Sequence, residues 1–196
     1  MLSSQTKDQQ TDKAMRNLKS VGLSMSTISK LDEESIEKLI YGVAFHKRKA
    51  EYIKRTTEMI QKSFEGEVPS VLNQILELPG VGMKMALLLQ QGAFGIVEGI
   101  SVDTHVHRIS NLLGWTASNN AEQTRKQLQK WVPKDKWKQV NHMLVGFGQT
   151  ICKPIAPNCK GCKINDSCPK AFWYEKRKKE SKIKYEKEPE WVKYFE

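Results

Sequence analysis

Three groups of residues in this chain have the types and spacing that chemistry needs. Lys84 follows directly on the glycine-rich stretch Leu78-Pro79-Gly80-Val81-Gly82-Met83. Asp103 sits inside the run Ser101-Val102-Asp103-Thr104-His105-Val106-His107-Arg108, and Cys152, Cys159, Cys162 and Cys168, the only cysteines, are spaced C-x6-C-x2-C-x5-C. An uncharged lysine amine is a nucleophile that can form a Schiff base, and a nearby carboxylate can take its proton or face a developing positive charge. Four thiolates around one tight C-x-x-C pair can enclose a single metal centre, and zinc or an iron–sulfur cluster satisfies that count.

Each group has a plainer reading. A lone lysine after a turn is more commonly a surface cation or a phosphate contact, so a nucleophilic role requires a second group. In favour of chemistry, Lys84 begins an otherwise apolar helix face, with Met83, Met85 and Ala86 around it. Partial burial there, next to a helix N-terminus, would favour the neutral amine. Asp103 suits a helix N-cap, and capping does not exclude catalysis, because the cap holds the carboxylate in place. His105 and Arg108 have the chemistry of phosphate contacts, whereas His107 fits packing equally well.

The elements that must position these residues are helical. Apolar residues recur at helical spacing, as in Ala14, Leu18 and Val21, and no run alternates with period two. Asp32 precedes a helix predicted over 33–41, Pro69 and Ser70 one over 71–77, and Pro133 one over 135–145. The fold class is therefore all-α. Around Lys84, one apolar helix ends at Pro79 and a second begins at Met83, joined by a tight turn. Gly80 and Gly82 in that turn permit backbone angles and close approaches that a Cβ forbids. The second helix opens with unpaired amides at the positive end of its dipole, so the hairpin can grip a phosphate without reading sequence.

With 32 Lys and Arg against 22 Asp and Glu, the 196-residue chain carries a formal charge of +10, spread along its length. That balance points to a polyanionic partner. No apolar run is long enough to span a bilayer and no signal-peptide pattern precedes the first helix, so nucleic acid fits better than a membrane. The clustered cysteines of a chain this large do not make a disulfide framework and indicate a reducing compartment. Beyond about Lys176 the chain becomes a charged tail. It includes the basic run Lys176 to Lys179, of the nuclear-import type, and ends near Trp191 and Phe195.

The order LPGVGMK, then VDTHVHR, then C-x6-C-x2-C-x5-C resembles the endonuclease III family of helix–hairpin–helix DNA glycosylases, its eukaryotic members above all. The likeness runs from about Leu2 to Pro169. It takes in Leu2-Ser3-Ser4-Gln5-Thr6-Lys7-Asp8, the stretch from Ile40 to Ile53 and Val145-Gly146-Phe147-Gly148-Gln149.

The resemblance implies a bifunctional enzyme that removes oxidised pyrimidines from double-stranded DNA and cuts the resulting abasic sites. It makes Lys84 the nucleophile and Asp103 the catalytic aspartate. Gln5 and Phe45 fall where the family enters the gap left by a flipped base, although core packing suits Phe45 nearly as well. It also selects a [4Fe–4S] cluster, structural more than redox in role, for the four cysteines. Lys153, Lys160, Lys163 and Lys170 interleave with these cysteines and would present positive charge to DNA.

The expected architecture is a helical lobe over 1–130 with the hairpin at about 71–90, a cluster lobe over 131–170, and a charged tail over 171–196. A DNA cleft would lie between the lobes with Lys84 and Asp103 at its floor. A monomer is expected, acting in the nucleus with the mitochondrion as a second location. The family's pattern has a further helical segment before the position of Leu2, helping to build the cluster lobe, so the packing of that lobe is the expected point of departure. The rival readings are a non-catalytic hairpin module that only binds DNA, and a glycosylase without lyase activity.

Overall fold

The structure, a computed structural model, describes residues 1–177. The end of the basic run at Lys178 and Lys179, together with Trp191 and Phe195, lies outside the described residues. Among the described residues every regular element is helical, and no helix is long and apolar enough to cross a membrane.

By its contacts the chain divides into two compact units, Met1–Glu98 and a second that begins at Gly99. The first contains α1 (Asp8–Ser20), α2 (Met25–Lys30), α3 (Glu33–Leu39), α4 (His46–Ser63), α5 (Leu72–Glu77) and α6 (Met83–Leu89), which runs on into a π-helical turn at Gln90–Phe94. Side chains cap the short helices. Ser24 Oγ accepts from Thr27 N at 3.1 Å and Asp32 Oδ1 from Ser35 N at 2.8 Å. At the other end of α2, Lys54 Nζ donates to Ser29 O and Leu31 O at 2.6 and 2.8 Å.

Two apolar clusters hold this unit. Leu18, Ile28, Ile36, Ile40 and Ala50 belong to one, and Ile60, Ile75, Leu78 and Ala86 to the other. The 18-residue α4 contributes to both, Ala50 to the first and Ile60 to the second. It is the spine of the unit, because its apolar face is long enough to serve two cores in succession. Ile36, Ile40 and Ile75 have no exposed surface; burying each contributes roughly 1.5–3 kcal/mol.

The second unit contains α7 (Thr104–Leu112), α8 (Ala121–Trp131), a 3-10 turn (Lys134–Lys136) and α9 (Trp137–Thr150). Its core joins Ile100, Val106, Ile109, Leu128 and Leu144. The boundary expected near residue 130 does not coincide with the contact division. The reason is that α7 and α8 close one core with α9, through Val106, Ile109, Leu128 and Leu144. The helix predicted over 135–145 starts later and runs further, to Thr150. Trp137 Nε1 donates to Val132 O at 2.9 Å, fixing the 3-10 turn ahead of it.

Candidate active site

One face of α4 supports most of the site residues of the first unit. Phe45 is its N-cap, and Arg48, Lys49, Tyr52 and Thr56 follow at spacings of three or four, which place them on the same side. Thr56 Oγ1 donates to Pro79 O at 3.1 Å, tying the hairpin between α5 and α6 to this spine. Gly80 has φ +75°, and a Cβ there would lie 2.4 Å from Tyr52 Cδ2. Both the backbone angle and the close approach therefore require glycine at this position.

Gly82 behaves differently from the expectation. Its φ is −101° and a Cβ would meet nothing within 4 Å, so the fold does not demand glycine there. It is the N-cap of α6 and has no side chain with which to cap. What Gly82 leaves open is the approach to the first amides of α6 from outside.

Lys84 lies in the first turn of α6. Ala86 and Leu87 are buried and Met83 and Met85 half-buried, but Lys84 itself is exposed. The partial burial predicted for it is absent, because α6 turns Ala86 toward Ile60, Ile75 and Leu78 and leaves position 84 outside that cluster.

Gln5 and Phe45 line one groove of about 430 Å³ together with Arg48, Lys49, Tyr52 and Gly80. Phe45 is 65% exposed, so it is not a core residue. Gln5 and Phe45 both adopt left-handed backbone angles, with φ 53° and 57°. Non-glycine residues rarely hold such angles without surrounding structure that enforces them. Arg48 Nε donates to Tyr52 Oη at 2.8 Å, with the guanidinium 5.4 Å from the tyrosine ring centre. Arg48, Lys49 and Tyr52 were not legible as site residues, although their helical spacing from Phe45 is a signal that the sequence carries.

In the second unit Asp103 is the N-cap of α7, its Oδ1 accepting from Val106 N at 2.9 Å. The cap holds the carboxylate in one orientation at a helix N-terminus. His105 and Arg108, read as phosphate contacts, are both half-buried in this unit. His105 Nδ1 is buried, and a Cβ on Gly148 of α9 would come within 2.5 Å of it. Arg108 Nη2 donates to Cys152 O at 2.5 Å, and Nη1 lies 3.7 Å from Cys152 Sγ. The cause is the close packing of α7 on α9, which Gly148 permits.

The four cysteines line one apolar cavity whose wall includes Leu112, Phe147, Ile151, Ile164 and Trp173. A chain of single turns winds the backbone around it: Cys162 N donates to Cys159 O, Asn165 N to Cys162 O and Cys168 N to Asn165 O, each at 3.2 Å. Asn158 Oδ1 accepts from Gly161 N at 3.1 Å and closes the tight pair. All four thiols are half-buried, whereas Lys153, Lys160, Lys163 and Lys170 are exposed. Burial pushes the Cys152 thiol up, and the Arg108 guanidinium opposes that shift. Among the described residues, no three His, Cys, Asp or Glu side chains converge closely enough to hold a single ion.

Residues 1–134 match the family described as HhH-GPD superfamily base excision DNA repair protein. The chain is 47% identical over 173 residues to the Endonuclease III-like protein 1 of Mus musculus, covering 87% of this chain and 58% of that protein. It is 40% identical to the Endonuclease III homolog of Encephalitozoon cuniculi, over 88% of this chain and 77% of that one. The chain thus spans less than two thirds of the mouse relative. Among solved structures, a trapped covalent endonuclease III–DNA intermediate with an estranged adenine superposes with a TM-score of 0.83 at 30% identity, covering 90% of this chain and 81% of that one. The chain belongs to the HhH-GPD superfamily of base excision DNA repair proteins, within its endonuclease III branch.

Proposed function

We propose that this protein is a DNA N-glycosylase and abasic-site lyase that removes oxidised pyrimidines from double-stranded DNA. The observation that carries the reading is Lys84, set in the first turn of α6 immediately after a hairpin that α4 braces. The likeness to an endonuclease III trapped covalently on DNA supports it. The hairpin amides and Gly80 and Gly82 bind the backbone of the damaged strand, and Gln5 and Phe45 enter the gap left when the nucleotide swings out.

The extruded nucleotide excludes water from the Lys84 amine, which in its neutral form attacks the sugar C1′. The C1′–N bond breaks, the base leaves with its electron pair and takes up a proton, and the sugar ring opens to a Schiff base. Removal of a proton from C2′ then breaks the C3′–O bond, which cuts the strand 3′ to the lesion. Hydrolysis of the imine releases Lys84. Asp103, oriented by its cap, accepts the lysine proton or stabilises positive charge on the sugar.

Cys152, Cys159, Cys162 and Cys168 would hold a [4Fe–4S] cluster. The apolar cavity that all four cysteines line and the tight C-x-x-C pair support this fit. Such a cluster would supply a covalent brace for the loop that presents Lys153, Lys160, Lys163 and Lys170. Net charge +10 supports duplex DNA as the partner, and the eukaryotic relatives fit action in the nucleus; the protein would act as a monomer, with the mitochondrion as a second location.

Borohydride reduction in the presence of duplex DNA carrying an oxidised pyrimidine tests the reading. The protein is expected to become covalently trapped, and Lys84→Gln to bind the same duplex without trapping. Lesion binding with no trapping by the unaltered protein would leave a binding module or a lyase-free glycosylase, which an assay of free base then separates.

A further inference from the structure

Lys49 is a buried cation that the proposed reaction does not use. It is 6% exposed, and burial lowers the affinity of its amine for the proton. Its three acceptors are neutral oxygens of one short segment: Leu2 O at 3.0 Å, Ser4 O at 2.6 Å and Thr6 Oγ1 at 3.1 Å. Thr6 Oγ1 in turn donates to Ser4 O at 3.1 Å and accepts from Ala44 N at 3.2 Å. One ammonium and one hydroxyl thus bind the segment that carries Gln5 to the loop that carries Phe45.

We propose that Lys49 is the positioning residue that fixes Gln5 and Phe45 as one rigid pair for entry into the gap beside an extruded nucleotide. The proposal rests on the reading of Gln5 and Phe45 given above. A lysine contributing only apolar packing at this place would be worse than a methionine, because the ammonium loses its hydration on burial and finds no carboxylate among its three acceptors. What the ammonium can do, and a methyl group cannot, is gather three oxygens around a point. That gathering encloses Gln5, between Ser4 and Thr6, and holds it in a left-handed conformation that an untethered chain would leave. At the other end, Phe45 has the same conformation one residue beyond Ala44. Both side chains are exposed and line the same groove, so the network orders a surface and not a core.

The test compares binding to a duplex with a tetrahydrofuran abasic analogue against binding to the intact duplex, together with thermal melting of each variant. Gln5→Ala is expected to reduce the preference for the abasic duplex about tenfold. Lys49→Met should reduce it at least as much, and adding Gln5→Ala to Lys49→Met should reduce it no further, since an unpositioned glutamine has nothing left to lose. A merely structural lysine would lower the melting temperature and leave the preference intact. If Lys49→Met does not fold, Thr6→Val removes the same hub from a half-buried position and is expected to show the same lack of additivity with Gln5→Ala. Full additivity, or a folded Lys49→Met with undiminished preference, overturns the proposal. Should Gln5→Ala and Phe45→Ala themselves leave the preference unchanged, the reading of those two residues fails first and the proposal falls with it.

Discussion

The Gln5 segment and the cysteine loop are both irregular, both half a step outside the helices, and they are held in opposite ways. Residues 2–6 are gathered by a side chain of the protein itself, the buried ammonium of Lys49. Residues 152–168 are wound by isolated turns around an apolar cavity, with four thiols directed to the same space. The first loop is complete once α4 has formed. The second is braced in part by Asn158, which bonds Gly161 N, and by Arg108, which bonds Cys152 O, and a group held by its four thiols would tie the rest. On the proposed reading, one irregular segment is fixed by a residue that the helix supplies and the other by a group taken from outside, and the two solutions fail differently.

The largest effect expected from breaking this contrast is on the second loop. Removing iron, or substituting Cys162→Ala, should abolish broad visible absorption and lower the melting temperature by ~10 °C or more. Hydrogen exchange of the amides in 2–6 should stay as in the intact protein. A melting temperature indifferent to iron would remove the distinction.

Within the first unit, the two hairpin glycines sharpen it. Gly80→Ala is expected to cost about 2–4 kcal/mol in urea unfolding, from its left-handed angle and the collision with Tyr52. Gly82→Ala should change stability by less than about 0.5 kcal/mol. Its effect should appear in DNA affinity, where the opening before α6 matters.

A smaller change separates support from chemistry at α7, the helix on which Arg108 reaches Cys152. Asp103→Ala is expected to cost about 1 kcal/mol through loss of the cap, while Asp103→Asn keeps the cap and stays within about 0.5 kcal/mol. Both should reduce single-turnover base release by about 10²-fold or more. Full activity in the asparagine variant would leave Asp103 as a cap alone.

The smallest effect is electrostatic. Arg125 holds the Glu122 carboxyl below the usual carboxylate range through a hydrogen-bonded pair on α8. A folded-state value below the unfolded one means the contribution is present above the unfolded value and lost as pH falls through the folded one. Because Glu122 is largely open to solvent, the loss should be only a few tenths of a kcal/mol. Comparing acid unfolding of the unaltered protein with Glu122→Gln measures it, and iron content should be the same in both.

Much of the site was legible from residue order, for reasons that are local. A cap needs an acceptor ahead of a helix, so Asp32 and Asp103 announce their helices. A left-handed turn favours glycine, so Gly80 marks the hairpin, and four cysteines within one short stretch mark a shared cavity. Gln5 and Phe45, far apart in sequence, were paired only through the resemblance; their meeting in one groove is tertiary.

What residue order could not determine is the direction in which a side chain faces once helices pack. Lys84 appeared set for partial burial and is exposed, because α6 commits Ala86 to the core. Arg108 and His105 had the chemistry of DNA contacts, and the close approach of α7 to α9 at Gly148 leaves both half-buried, with Arg108 bonded to Cys152 O. Lys49 looked like one more cation among 32 basic residues and is the buried hub of the first unit. Local signals depend on a few neighbouring residues and survive in any fold; the surroundings of a long side chain depend on segments tens of positions away, and only packing decides which of them arrive.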